Sequence, residues 1–146
     1  MKPLTFITPS KELADILNPD EFILWQQRSM FANALQHKQY GMQVFNQCNF
    51  AALWCMYKIT VSGITGAEFC YGRFRIFNHS WIRIDKQYYD LTLKQFDNAA
   101  PKLCVVSEKD KSFKIIEVYK QDEVPHTLDK YAMGNWLTEK FDKYTD

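Results

Sequence analysis

Cys48-Asn49-Phe50-Ala51-Ala52-Leu53-Trp54-Cys55-Met56-Tyr57-Lys58 is the stretch whose pattern organises everything around it. At helical spacing, Cys48, Ala52, Cys55 and Ile59 share one face, and Phe50, Leu53, Trp54 and Tyr57 cover the other. A helix that is apolar on both sides has to be covered on both sides. The segment from Cys48 to about Lys58 therefore predicts the central, buried helix of the fold.

Before it, Ser10 to Leu17 reads as a short helix stopped by Asn18-Pro19. A second helix begins at Asp20-Glu21, whose carboxylates suit the positive helix end. It carries Phe22, Ile23, Met30, Phe31, Ala34 and Leu35 and frays near Gln39-Tyr40-Gly41, and Gly41 to Gln47 reads as a loop. After Gly63 and Gly66 the period changes to alternation, which predicts strands over Phe69–Phe77, Ser80–Asp85, Gln87–Thr92, Lys102–Ser107 and Ser112–Tyr119. Asp85-Lys86 and Lys109-Asp110-Lys111 read as hairpin turns, and Asn98 to Pro101 as a loop. A last helix is expected from about Thr127 to Tyr144, burying Leu128, Met133, Leu137, Phe141 and Tyr144 across the helix-weakening Gly134. Helices first and a mostly antiparallel meander second make an α+β fold: N-terminal helices, a buried Cys-bearing helix packed on an antiparallel sheet, and a C-terminal helix.

The 146 residues suffice for one domain, 1–146, with one sizeable core. Hydrophobic residues make up 47% and aromatic residues 16%, well above a disordered composition. A net charge of +1 argues against a nucleic-acid partner, because neutralising phosphates takes a basic surplus. Arg73, Arg75 and Arg83 form the one local basic cluster, on strands whose alternation equally suits a solvated face. No run approaches the ~18 apolar residues of a membrane span, and the start lacks the pattern of a secretory signal. No membrane association is expected, and the expected compartment is the cytoplasm of the producing or of a host cell. The four cysteines form no C-x-x-C pair, which fits reduced thiols better than disulfides or zinc. Cys55 and Cys70 read as core residues.

Cys48 opens the buried helix, where unpaired backbone N–H groups and the helix dipole favour a thiolate. The same amides can donate to an oxyanion, and the side chain of Gln47 or Gln43 can add a second donor. If Asp85-Lys86 is a two-residue loop, Ile84 faces Gln87 and Trp81 faces Asp90. His79 and Asp90 then become diagonal neighbours on one face, roughly 7–8 Å apart between the backbones of the two strands. A thiol nucleophile needs a base to take its proton and a carboxylate to hold that base in the right tautomer. Cys48, His79 and Asp90 are residues of those types, and a one-residue slip of register would separate the last two. His37 lacks a carboxylate partner, His126 follows Pro125 at a helix start and reads as a surface residue, and Cys104 lies mid-strand with no dipole to activate it.

These segments resemble the transglutaminase-like branch of the papain-like cysteine enzymes. Gln47-Cys48 with Phe50-Ala51 is similar to that family's Gly-Gln-Cys-x-x-Phe-Ala nucleophile motif. His79-Ser80-Trp81-Ile82 resembles its His-(small)-Trp-Val segment, and Asp90-Leu91-Thr92 its Asp-(Pro or Ala)-Thr element. The resemblance covers Asn46 to about Phe96. It implies a Cys-bearing helix packed against a sheet carrying His and Asp, and a thioester formed at an amide carbonyl. Asn46 replaces the usual Gly, and Asn49 replaces the Trp that often follows the Cys and belongs to the amine-acceptor tunnel of the cross-linking enzymes.

The expectation is a cysteine-dependent hydrolase that acts on an amide of a protein or peptide substrate, by glutamine deamidation or by peptide or isopeptide cleavage. Cys48, His79 and Asp90 would be its catalytic residues, Gln47 and Gln43 its oxyanion donors, and Trp81 a wall of its groove or a structural residue. It would use no metal or organic cofactor. A non-catalytic binding module on the same scaffold, and acyl transfer to an amine acceptor, are the alternatives.

Overall fold

The computed structural model describes residues 3–32 and 47–144. Helix α1 spans Lys11–Ile16, with Ser10 Oγ accepting from the Leu13 N–H at its start. Helix α2 spans Pro19–Ala32. Proline suits a first helical position, where no N–H is needed, and Asn18 Oδ1 caps the Asp20 and Glu21 N–H groups at 2.9 and 3.1 Å. The expected end of this helix near Gly41, the loop from Gly41, and His37 and Gln43 lie outside the described residues.

Helix α3, Gln47–Val61, is the predicted central helix, begun one residue earlier and continued past Lys58. Nine of its residues are buried, on both faces. Five strands follow: β1 Glu68–Phe74, β2 Phe77–Ile84, β3 Gln87–Asp90, β4 Cys104–Ser107 and β5 Phe113–Lys120. They form one antiparallel sheet in the order β4-β3-β2-β1-β5. Helix α4, Lys130–Phe141, closes the helical side, its start capped by Asp129 rather than lying near Thr127. His126 is exposed, as expected, but precedes that helix in irregular chain.

Two expectations about the sheet are corrected. The run Phe69–Phe77 is not one strand: Phe74 pairs with Phe77, and the chain turns at Arg75-Ile76, with Arg75 at φ 55°. Neither residue is a customary turn former, so composition hid the turn. Lys109-Asp110-Lys111 is not a hairpin turn either, since β4 pairs with β3 while β5 pairs with β1 on the opposite edge. The short link 108–112 can join opposite edges because the sheet is curled. Phe113 of β5 lies 5.2 Å, ring centre to ring centre, from Tyr88 of β3 and 5.0 Å from Trp81 of β2. In a flat sheet, β5 and β3 would be roughly 14 Å apart, three strand spacings of ~4.8 Å.

The curl divides the interior into two cores. Phe69, Tyr71, Ile82 and Val105 meet α3 and α4 on the helical side. Phe74, Trp81, Tyr88, Cys104 and Phe113 fill the hollow of the sheet with Leu4. The chain before α1 shields the β4 edge, where the Ile7 N–H donates to the Val105 carbonyl at 2.8 Å. Among the described residues, no helix is long and apolar enough to cross a membrane.

Candidate active site

The start of α3 is pinned against β2. Cys48 is the second residue of the helix, and Asn49 Oδ1 accepts from the Ser80 hydroxyl at 2.5 Å. Consecutive residues of the helix therefore meet consecutive residues of the strand, Cys48 beside His79 and Asn49 beside Ser80. The same carboxamide oxygen lies 4.0 Å from Cys48 Sγ.

His79 lies within β2 and is fully buried. Phe74, Trp81 and Phe96 surround its imidazole, with Phe96 edge-on at 5.1 Å and Trp81 stacked at 6.0 Å. Opposite it in the sheet is Gly72. The hairpin register anticipated from the sequence is present: Ile84 faces Gln87 and Ile82 faces Tyr89 across a two-residue Asp85-Lys86 turn. It brings His79 Nε2 to 2.5 Å from Asp90 Oδ2. The other carboxylate oxygen, Oδ1, accepts from the Thr92 N–H at 2.8 Å and the Thr92 hydroxyl at 3.2 Å. This local turn ends β3 at Asp90, short of the expected Thr92, because a side chain that bonds its own backbone competes with the strand ladder. One carboxylate thus both stops the strand and orients the imidazole.

The second ring nitrogen, His79 Nδ1, is buried without a completed hydrogen bond. Burial pushes the imidazolium pKa down, but the charge and hydrogen bond of Asp90, with a smaller contribution from Cys48 beside the ring, outweigh it and raise the value to about 10. Cys55, Cys70 and Cys104 are all buried, and burial pushes their pKa values up, to about 12 for Cys70. Cys104 opens β4 rather than lying mid-strand.

Cys48 is 6% exposed and borders a small closed space with Cys55, Ser80, Trp81, Asp90 and Leu91. Trp81 is 1% exposed and belongs to the aromatic core of the sheet, with its indole Nε1 lacking an acceptor among the described residues. Beyond Leu91 lies an open groove of about 290 Å³, bordered by Gln47, Leu91 and Thr92 on one side and by α2 on the other. Gln47, the residue before Cys48, borders that groove. Arg83 pairs with Glu68 and Glu108, and Arg75 with Asp97, so two of the three clustered arginines have carboxylate partners. No group of three or more His, Cys, Asp or Glu side chains is placed to hold a metal ion among the described residues.

Sequence reasoning did not single out the Asn49–Ser80 bond or the contribution of α2 to the groove. In the sequence Asn49 stands out only as a departure from a motif, although a polar residue in the first turn of a largely apolar helix is a signal for a bonded partner. No protein-family model matches this chain, and neither a curated protein nor a solved structure does.

Proposed function

We propose that the chain is a cysteine-dependent hydrolase acting on a carboxamide or peptide bond through a thioester, on a core of the papain-like, transglutaminase-like kind. The observation that carries this reading is the division of labour on His79. Nε2 is taken by Asp90 at 2.5 Å, which leaves Nδ1 to the thiol at the start of α3.

In the proposed cycle His79 Nδ1 takes the Cys48 proton and the thiolate attacks the carbonyl carbon. The tetrahedral oxyanion receives N–H donors from the first turn of α3 and from Gln47, with Gln43 as the other candidate. Collapse breaks the C–N bond, and His79 passes its proton to the departing ammonia or amine. Water then attacks the thioester, gives one proton to His79 and releases the carboxylic acid. The proton returns to Cys48. The raised pKa of His79 favours the imidazolium that forms when it takes the Cys48 proton and that then serves as the acid. The alternatives keep the same groove without turnover, or replace water by an amine.

Acylation by p-nitrophenyl acetate tests the reading without knowledge of the substrate. A burst of nitrophenolate, with the acetyl group found by mass spectrometry on Cys48, and loss of the burst in His79→Ala are expected. Labelling of Cys48 no faster than of Cys104 would leave a binding module as the function. Accumulation of a stable acyl-enzyme discharged only by added amine would indicate a transferase.

A further inference from the structure

The groove outside Leu91 is built differently from the closed space around Cys48. Leu91 borders both, Gln47 is the residue before the nucleophile, and Thr92 holds Asp90. The groove and the space around Cys48 therefore meet at Leu91. Its volume of about 290 Å³ is at the small end of ligand sites, ~300–1,000 Å³.

Its chemistry is specific. Phe22 and Ile23 of α2 give an apolar seat, and Ile23 is 41% exposed although it is a large aliphatic residue. Gln26 and Gln95 present carboxamides, which donate and accept like a peptide bond. The charged residues on its border are Lys94 and Lys102, and no carboxylate borders it among the described residues. Lys94 has no ion pair among the described residues. Lys102 reaches Asp20 at 3.5 Å, with side chains 66% and 78% exposed, a pair that solvent screening makes weak and exchangeable.

We propose that this groove holds the acyl-donor segment of the substrate and selects an extended peptide that carries an apolar and an acidic side chain next to the reacting glutamine or peptide bond. The inference rests on the hydrolase reading and adds a substrate class to it. The apolar side chain seats against Phe22 and Ile23. The peptide backbone bonds the carboxamides, and the acid meets Lys94 while displacing Asp20 from Lys102.

Binding tests this apart from turnover. Cys48→Ala protein is titrated by fluorescence anisotropy with a labelled Leu-Gln-Glu-Glu peptide and with its Leu-Gln-Lys-Lys counterpart. The acidic peptide is expected to bind about tenfold more tightly, two surface charge contacts each worth a few-fold. Lys94→Glu/Lys102→Glu, both exposed and remote from the core, should reverse the order, and added salt should shrink the difference. In the wild-type protein the acidic peptide should protect Cys48 from iodoacetamide. Equal affinities, a preference that survives the charge reversal, or binding without protection of Cys48 would overturn the proposal and leave the thiol chemistry untouched. Absence of the acyl-enzyme with p-nitrophenyl acetate would instead overturn the hydrolase reading.

Discussion

His79 stands where three demands meet: it is fully buried, ringed by aromatic side chains, and bonded to a carboxylate. Because its pKa rises to about 10 in the folded protein from about 6.5 unfolded, its contribution to stability is complete below pH ~6.5 and is lost as pH rises through ~10. Buried Cys55, Cys70 and Cys104 act in the same direction, but only above pH ~8.5, where unfolded thiols ionise. Between pH ~6.5 and ~8.5, thermal unfolding should therefore show a falling Tm in the wild type and a flatter profile in Asp90→Asn. A parallel profile in the two proteins would remove the His79–Asp90 coupling. In the proposed hydrolase, His79→Ala should lower the acylation rate by ~10²–10⁴-fold, the usual worth of a general acid–base. Asn49 and Ser80 have a structural part beside it. Loss of Asn49 leaves the buried Ser80 hydroxyl without its bond, at about 1–3 kcal/mol. A double-mutant cycle of Asn49→Ala and Ser80→Ala, read by urea denaturation, should give a coupling of at least ~0.5 kcal/mol, and both single variants should slow alkylation of Cys48.

At the level of the elements, the strands around His79 are held by close approach and by unusual turn residues. A Cβ built on Gly72 would come within 1.9 Å of the Lys114 carbonyl oxygen, beside the register shift between β1 and β5. Gly72→Ala must push two strands apart at the position opposite His79, so about 3 kcal/mol or more of stability should be lost. Denaturant midpoints would measure it, and a change below ~1 kcal/mol would show that the strands can move freely. The Asp85-Lys86 turn places both residues at positive φ, 48° and 66°. Glycine is at ease there and lysine is not. Lys86→Gly is therefore expected to stabilise by roughly 0.5–1 kcal/mol, net of the greater freedom of glycine when unfolded, while leaving the His79–Asp90 register intact.

Over the whole molecule, α3 packs mainly on β2, with β1 and α4 beside it. The helical core on one side and the aromatic hollow of the sheet on the other come together through the curl, and the curl is fastened by Phe113 against Phe74, Trp81 and Tyr88. Phe113→Ala should cost ~3–5 kcal/mol, typical of a buried phenylalanine, and should loosen the aromatic packing around His79. Near-UV circular dichroism and the reactivity of Cys48 should then change together. Loss of stability with unchanged Cys48 reactivity would mean that the hollow of the sheet is energetically separate from the site.

Much of this was legible in the chain itself. An apolar pattern on both faces of 48–58 can only belong to a buried helix, and the alternation after Gly66 can only serve a sheet. The Asp85-Lys86 spacing set a register that brings His79 to Asp90, because side chains on paired strands have a fixed period of two. The caps, Ser10 for α1 and Asn18 for α2, are local bonds too, spanning two or three residues, although Asn18-Pro19 reads in the sequence only as the stop of α1. The sequence could not disclose the turn at Arg75-Ile76 or the crossing of β5 to β1, because both depend on how far the sheet bends and on which aromatic rings then fill its hollow. Nor could it disclose the Asn49–Ser80 contact across 31 positions or the groove between α2 and Gln47. By itself the sequence determined most of the elements, the two buried faces of α3 and the register of the hairpin that carries His79 and Asp90, all governed by short-range periodicity. Only the tertiary structure decided the curl, the seating of α3 on β2 and the shape of the groove, because these are contacts between residues distant in the chain.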